Sequence, residues 1–192
     1  MPERESNDIP TDDPRPTELK RAPSLVLVNT GPGKGKTSAA MGVVMRGIAR
    51  GWPVGVIQFL KSGTWRTGEE KICKQLGVDW WAEGEGFTWL SEDLTIDEAV
   101  AAGAWDTARS LISAGDHQLV VLDEVTYPVN WGWIDVAEVV DTIRNRPDHV
   151  NVVVTGRKAA QALLDIADTV SEIADVKHAY RSGIRAKKGI DF

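Results

Sequence analysis

The 192-residue chain contains one cysteine, Cys73, so an internal disulfide is excluded, and a lone thiol fits a reducing cytoplasm. It has no apolar run near the ~20 residues that a membrane-spanning helix requires, and its first residues lack the charged-then-apolar layout of a secretory signal. Positive charge is in deficit: 22 Lys and Arg stand against 28 Asp and Glu, a formal net charge of −6. That balance argues against general affinity for nucleic acid or an anionic membrane. Together these absences predict a soluble cytoplasmic protein. Large apolar residues are also nearly missing from residues 1–23, which hold five prolines and ten charged residues. Such a stretch buries too little surface to fold alone and reads as a disordered tail, the alternative being a segment that orders on a neighbour. One folded domain is expected over 24–192.

From Ser24 onward the pattern changes. Apolar runs of strand length, "SLVLVNT" (24–30), "VGVIQFL" (54–60), "LVVLDEV" (119–125), "VNVVVTG" (150–156) and "DTVSEIADV" (168–176), alternate with the longer stretches "GKTSAAMGVVMRGIAR", "TIDEAVAAGAWDTARSLISAG" and "WIDVAEVVDTIRNR". Continuous β-branched runs mark strands buried on both faces, as in a parallel sheet. The intervening stretches read as helices, and the alternation predicts a three-layer α/β domain.

The stretch "LVNTGPGKGKTSAAMG" (27–42) resembles a phosphate-binding loop but departs from G-x-x-x-x-G-K-[ST] by one position: Thr30 stands where the first glycine belongs, and the glycine falls at Gly31. The loop still follows a buried strand and opens a helix, where free backbone N–H groups and the helix dipole favour an anion. Gly31, Gly33 and Gly35 allow close approach of phosphate oxygens. Lys36 offers a point charge, and Thr37 a hydroxyl for Mg²⁺. The whole loop, Thr30, Gly31, Pro32, Gly33, Lys34, Gly35, Lys36, Thr37 and Ser38, is expected around ATP, although Lys34 can equally be solvated. In "LVVLDEV", Asp123 and Glu124 end an apolar strand as a Walker-B pair does, and one of them should hold Mg²⁺; position does not say which. Lys36, Thr37 and Glu124 are the expected catalytic residues. Arg46 and Arg157 are further candidates for phosphate, with a surface salt bridge as the alternative for each.

The ordered set "NTGPGKGKTSAAMG", "VIQFLKSGTWRTGEE", "GEGFTWLSED", "LVVLDEVTYPVNWGW", "VVVTGRKA", "ADTVSEI" and "DVKHAYRSGIRAKKGIDF" closely resembles the bacterial P-loop type of ATP:cob(I)alamin (corrinoid) adenosyltransferase, from about Ser24 to Phe192. The altered loop is that family's own variant. The resemblance implies a P-loop NTPase (RecA-like) fold with a mostly parallel central sheet. It also implies transfer of the 5′-deoxyadenosyl group of ATP to a reduced corrinoid cobalt, with triphosphate as the leaving group and ATP reversed relative to other P-loop proteins. By the same resemblance Phe87 and Trp89 meet the lower face of the corrinoid and displace its axial ligand, a small flavoprotein supplies electrons, and the protein is a homodimer. Family members often carry an N-terminal helix that closes a neighbour's site; proline-rich residues 1–23 do not read as one.

Eight tryptophans are many for this length. Trp80, Trp81, Trp89, Trp131 and Trp133 fall outside the obvious strands, whereas Trp52, Trp65 and Trp105 suit core packing as well as a site. Cys73 reads as a buried structural thiol, His117 and His149 as surface residues, and His178 as a site candidate. Arg181, Arg185, Lys187 and Lys188 could meet corrinoid side chains or phosphate, or form a solvated patch. "QFLKSGTWRTGEE", with Lys61 and Glu69, is expected to form a site loop. Two rival activities remain in view: an ordinary ATPase or kinase using Glu124 as base, and a corrinoid carrier that binds ATP without turnover.

Overall fold

A computed structural model describes residues 16, 18–60, 67–82 and 94–191. Six strands, β1 Val26–Thr30, β2 Val54–Gln58, β3 Asp79–Ala82, β4 Leu119–Asp123, β5 Asn151–Thr155 and β6 Thr169–Glu172, form one sheet in the order β3-β2-β4-β5-β1-β6. Every pairing is parallel. The helices are α1 Lys36–Ala49, α2 Gly68–Gln75, α3 Leu94–Ala114, α4 Thr126–Asn130, α5 Val136–Arg144 and α6 Gln161–Asp165, followed by a 3-10 turn at Ala179–Ser182. This is the α/β architecture that the alternating pattern predicts, and it is consistent with the P-loop NTPase fold that the resemblance implies.

The two-residue period of a strand sends neighbours to opposite faces, and both faces are covered. Leu119 and Val121 of β4 pack with Ala40, Met41 and Val44 of α1 and Cys73 of α2. Val120 and Leu122 join Ala104, Trp105, Ala108 and Ile112 of α3 and Val139, Val140 and Ile143 of α5. Each fully buried Val or Leu contributes about 1.5–3 kcal/mol, so the middle strands are fixed by burial alone. Local signals set the helix starts: Thr67 accepts from the Glu70 amide in a T-x-x-E box, and Asp135 accepts from the Ala137 amide.

The structure corrects the sequence reading in four places. The predicted runs end early, at Gln58, Asp123 and Glu172, because the chain turns into the loops above the sheet. Trp80 and Trp81, expected outside the strands, form edge strand β3; Trp80 is buried and Trp81 half-buried. His117, expected at the surface, is buried, with Nε2 2.9 Å from Asp79 Oδ2 and its ring edge-on to Trp81. Part of the expected "GEE" loop is helix α2, with Glu69 in its first turn. Lys61 and Trp65 lie outside the described residues, as do residues 1–15 of the expected tail.

Candidate active site

Polar residues gather at the carboxyl ends of the strands, the end of a parallel sheet where ligands bind. Gln58 ends β2, Asp123 ends β4 and Thr155 ends β5, after runs that are otherwise apolar. Gln58 is in register with Asp123, and Leu122 with Val154, so Asp123 and Thr155 are next in line. By strand alternation all three side chains face the α1 side, the side of Val56, Val121 and Val153. Asp123 is wholly buried. Its Oδ1 accepts from Thr37 Oγ1 (2.8 Å) and Thr155 Oγ1 (2.7 Å), and its Oδ2 accepts from Gln58 Nε2 (3.0 Å). Thr37 at the start of α1 is thereby joined to the end of β4 across the intervening strand β5.

The glycine loop has a packed back and an open front. At the back, the Gly33 amide donates to the Ile173 carbonyl (2.7 Å), and the Ile173 amide donates to the Thr30 carbonyl (2.9 Å). A Cβ on Gly31 would lie 2.6 Å from the Ile173 carbonyl oxygen, and one on Gly33 2.4 Å from that of Ala174. The Thr30 hydroxyl accepts from the Ala159 amide at 3.1 Å. The side chain that breaks the usual glycine pattern therefore ties β1 to the turn after β5.

At the front, Gly35 caps α1 with φ 117°, and among the described residues nothing lies within 4 Å of where its Cβ would be. The Ala39 amide closes the first turn on Gly35, and the amides before it have no acceptor within the helix. No acidic residue lies in the first turn of α1, so the positive end of its dipole is not offset from within that turn.

Lys36 Nζ folds onto the loop, donating to the carbonyls of Gly31 (3.0 Å) and Gly33 (2.5 Å). Burial and the nearby Arg157 guanidinium lower its pKa, while Glu124 and Asp123 oppose that shift. Glu124 follows β4 at φ 67°, a left-handed conformation uncommon for a non-glycine residue, and its amide donates to Thr155 Oγ1 at 2.9 Å. Tyr127 on α4 lies beside the same charges, its pKa raised by burial and by Glu124. The Arg157 carbonyl accepts from Thr126 Oγ1 and Asn130 Nδ2, which fixes the turn after β5.

Thus Lys36, Thr37, Asp123, Glu124 and Arg157 come together. Gln58 and Thr155 join them and were missed by the sequence reading; their signal was a first polar residue ending an apolar strand run. Pro32 and Ser38 are exposed, the latter in the first turn of α1. Lys34 pairs with Asp191 (2.9 Å), whose pKa is lowered by hydrogen bonds from the Lys187 amide and from Lys34. Arg46 is exposed in the last turn of α1, ten residues from Lys36, an axial rise of about 15 Å. It does not sit beside the loop of its own chain. Phe87 and Trp89 lie outside the described residues.

Trp131 and Trp133, 4.7 Å apart between ring centroids, follow α4, and Trp131 also neighbours Tyr127. Trp105 is in the core. Cys73 is buried, and burial pushes its thiol pKa up, as suits a structural thiol. His149 is exposed. His178 caps the 3-10 turn by accepting from the Tyr180 amide, and Arg181 pairs with Asp175.

Residues 22–192 match the family model described as ATP:corrinoid adenosyltransferase BtuR/CobO/CobP. The chain belongs to the ATP:corrinoid adenosyltransferase family. It is similar to the corrinoid adenosyltransferase CobA of Salmonella typhimurium, at 38% identity over 94% of this chain and 91% of that protein. Similar too are the corrinoid adenosyltransferases of a Sinorhizobium species, at 44% identity over 88% of this chain and 80% of the relative, and of Pseudomonas aeruginosa, at 43% over 88% and 83%. As a member of the ATP:corrinoid adenosyltransferase family the protein is a transferase, and its substrates are ATP and a corrinoid. No helix among the described residues is long and apolar enough to cross a membrane.

Proposed function

We propose that the loop from Thr30 to Ser38 and the ends of β4 and β5 hold the triphosphate of ATP while its 5′-carbon is attacked by the Co(I) of a corrinoid. The observation that carries this reading is the junction of Lys36, Thr37, Asp123, Glu124 and Arg157 beside the open start of α1. The electron pair of Co(I) forms the cobalt–carbon bond. The bond from the 5′-carbon to oxygen breaks, its electrons stay on the departing triphosphate, and the cobalt becomes formally Co(III). No proton moves, so no general base is required. Lys36, Arg157 and the amides at the start of α1 would meet the charge that develops on the leaving oxygen, a preorganised electrostatic role.

The donor set suits Mg²⁺. Thr37, Asp123 and Glu124 offer hard oxygens, and among the described residues no group of three or more His, Cys, Asp or Glu forms a dedicated metal cage. Magnesium is typically held by one or two carboxylates together with substrate phosphates and water. Asp123 already accepts from Thr37, Thr155 and Gln58, which favours Glu124 and Thr37 as direct ligands and Asp123 as the residue that orients Thr37. Bound Mg²⁺ would supply charge neutralisation to the triphosphate.

In the same reading Phe87 and Trp89 meet the corrinoid, a small flavoprotein reduces the cobalt, and the enzyme works as a cytoplasmic homodimer. Val176, Tyr180, Ile184 and Ile190 are exposed along the C-terminal segment, and apolar exposure of this kind suits a protein contact.

The test is to incubate the protein with Mg-ATP and chemically reduced corrinoid. Light-sensitive adenosylcorrinoid and inorganic triphosphate should appear in step, whereas release of ADP without corrinoid would overturn the reading. Phe87→Ala with Trp89→Ala should slow the reaction from Co(II) with a weak reductant far more than the reaction from chemically prepared Co(I). Equal loss in both assays would reject their part in reduction.

A further inference from the structure

Gln58 is buried to 2% relative exposure at the end of β2, where an aliphatic residue would continue the run. Its NH₂ group faces Asp123, with Nε2 donating to Oδ2 at 3.0 Å, the arrangement that a carboxylate acceptor calls for. The carbonyl oxygen, Oε1, then points away from Asp123, and it is buried with no hydrogen-bond partner among the described residues. A buried acceptor without a donor costs about 1–3 kcal/mol. An acceptor buried there at that cost calls for a donor from beyond the described residues.

The neighbourhood says which kind of donor. Gln58 lies on the α1 face, in the same row as Asp123 and Thr155. The Thr37 hydroxyl donates a hydrogen bond to Asp123, which turns its lone pairs away from the carboxylate, as a metal ligand requires. Mg²⁺ sheds its water reluctantly and keeps several molecules in its shell, and a water polarised by the ion is a strong donor that can occupy a small polar recess. We propose that Gln58 is a positioning residue of the nucleotide site: its NH₂ group holds the Asp123 carboxylate in the orientation that presents Thr37, and its Oε1 accepts from a water of the hydrated Mg²⁺ that arrives with ATP. The inference rests on the proposed triphosphate site and deepens it. It does not depend on what is later done to the 5′-carbon.

ATP binding should be measured by calorimetry with excess Mg²⁺ and with EDTA, in the wild-type protein and in Gln58→Leu. Metal-free affinity should be the same in both within about twofold, while the gain on adding Mg²⁺ should shrink by about tenfold in the variant, the effect of one lost hydrogen bond in the metal-bound state. An equal loss with and without metal would make Gln58 a packing residue and overturn the proposal. An unchanged magnesium gain would do the same. Should Gln58→Leu fail to fold, the wild-type protein decides: the Gln58 side-chain amide resonance must shift when Mg²⁺ is added to the ATP complex and stay in place when ATP alone is added. No shift on adding Mg²⁺ rejects the idea. Failure of adenosyl transfer with these binding results intact would count against the proposed reaction and leave the role of Gln58 standing.

Discussion

Gly33 and Gly35 are two residues apart in one loop, yet they are glycines for unrelated reasons. Gly33 belongs to the back of the loop, where the carbonyl of Ala174 leaves no room for a Cβ. Gly35 belongs to the front, where there is room to spare but φ is 117°. The first is a packing requirement set by a segment about 140 residues downstream. The second is a conformational requirement set by the start of α1, and it leaves space for a ligand. A loop motif is therefore a mixture: some of its letters answer to the backbone at the helix start, and others only keep the loop where it is.

The sharpest way to test that division is at the front. Lys36→Ala removes a charge that hydrogen-bonds to the loop carbonyls of Gly31 and Gly33; turnover should fall roughly 10- to 100-fold, the scale of one charged hydrogen bond to phosphate, while the protein still melts cooperatively. Activity near wild type would mean that the front is not the phosphate site.

The next effect separates the two glycines. Gly33→Ala should destabilise the fold by about 1–3 kcal/mol through overpacking against Ala174, and a compensating truncation elsewhere in the loop should not restore it, because the obstacle is backbone. Gly35→Ala should cost a similar amount, about 1–3 kcal/mol of backbone strain, but it should also weaken ATP binding in the folded protein. If ATP affinity, measured on folded protein, fell equally in both variants, the front–back distinction would be lost.

The smallest effect is a pH dependence. Burial and Arg157 lower the pKa of Lys36 below the usual 10.5, so between the folded value and 10.5 the unfolded chain binds more protons. Stability contributed by this site therefore rises with pH through that window. Denaturant melts of the wild type and Lys36→Met at pH 7 and pH 10 should show the difference moving in favour of the wild type at the higher pH. The opposite sign would mean that Lys36 is stabilised as a cation in the folded protein.

Much of this was legible beforehand because it depends on local pattern. The buried runs of β1, β2, β4 and β5 and the Lys36-Thr37 helix start announce themselves within a few residues. What escaped notice depends on distant partners. β3 is only four residues long, begins with an exposed Asp79 and pairs with β2 alone, so its period is too short to read. His117 is buried because Trp81 and Asp79 approach from β3. Gln58 is one polar residue within "VGVIQFL", and nothing local ties it to Asp123, 65 residues away. Lys34 was open between phosphate and solvent, and its partner Asp191 lies at the other end of the sequence.

The left-handed backbone at Glu124 has a consequence for engineering and for drift. A stability-driven redesign of this chain would place glycine or asparagine there, since a residue held at φ 67° against its preference costs on the order of 1 kcal/mol or more. The same change would delete a carboxylate from beside Lys36. Position 124 is thus a place where selection for a tougher protein and selection for the proposed chemistry pull in opposite directions, and a thermostable relative that kept an acidic residue there would have had to gain its stability elsewhere.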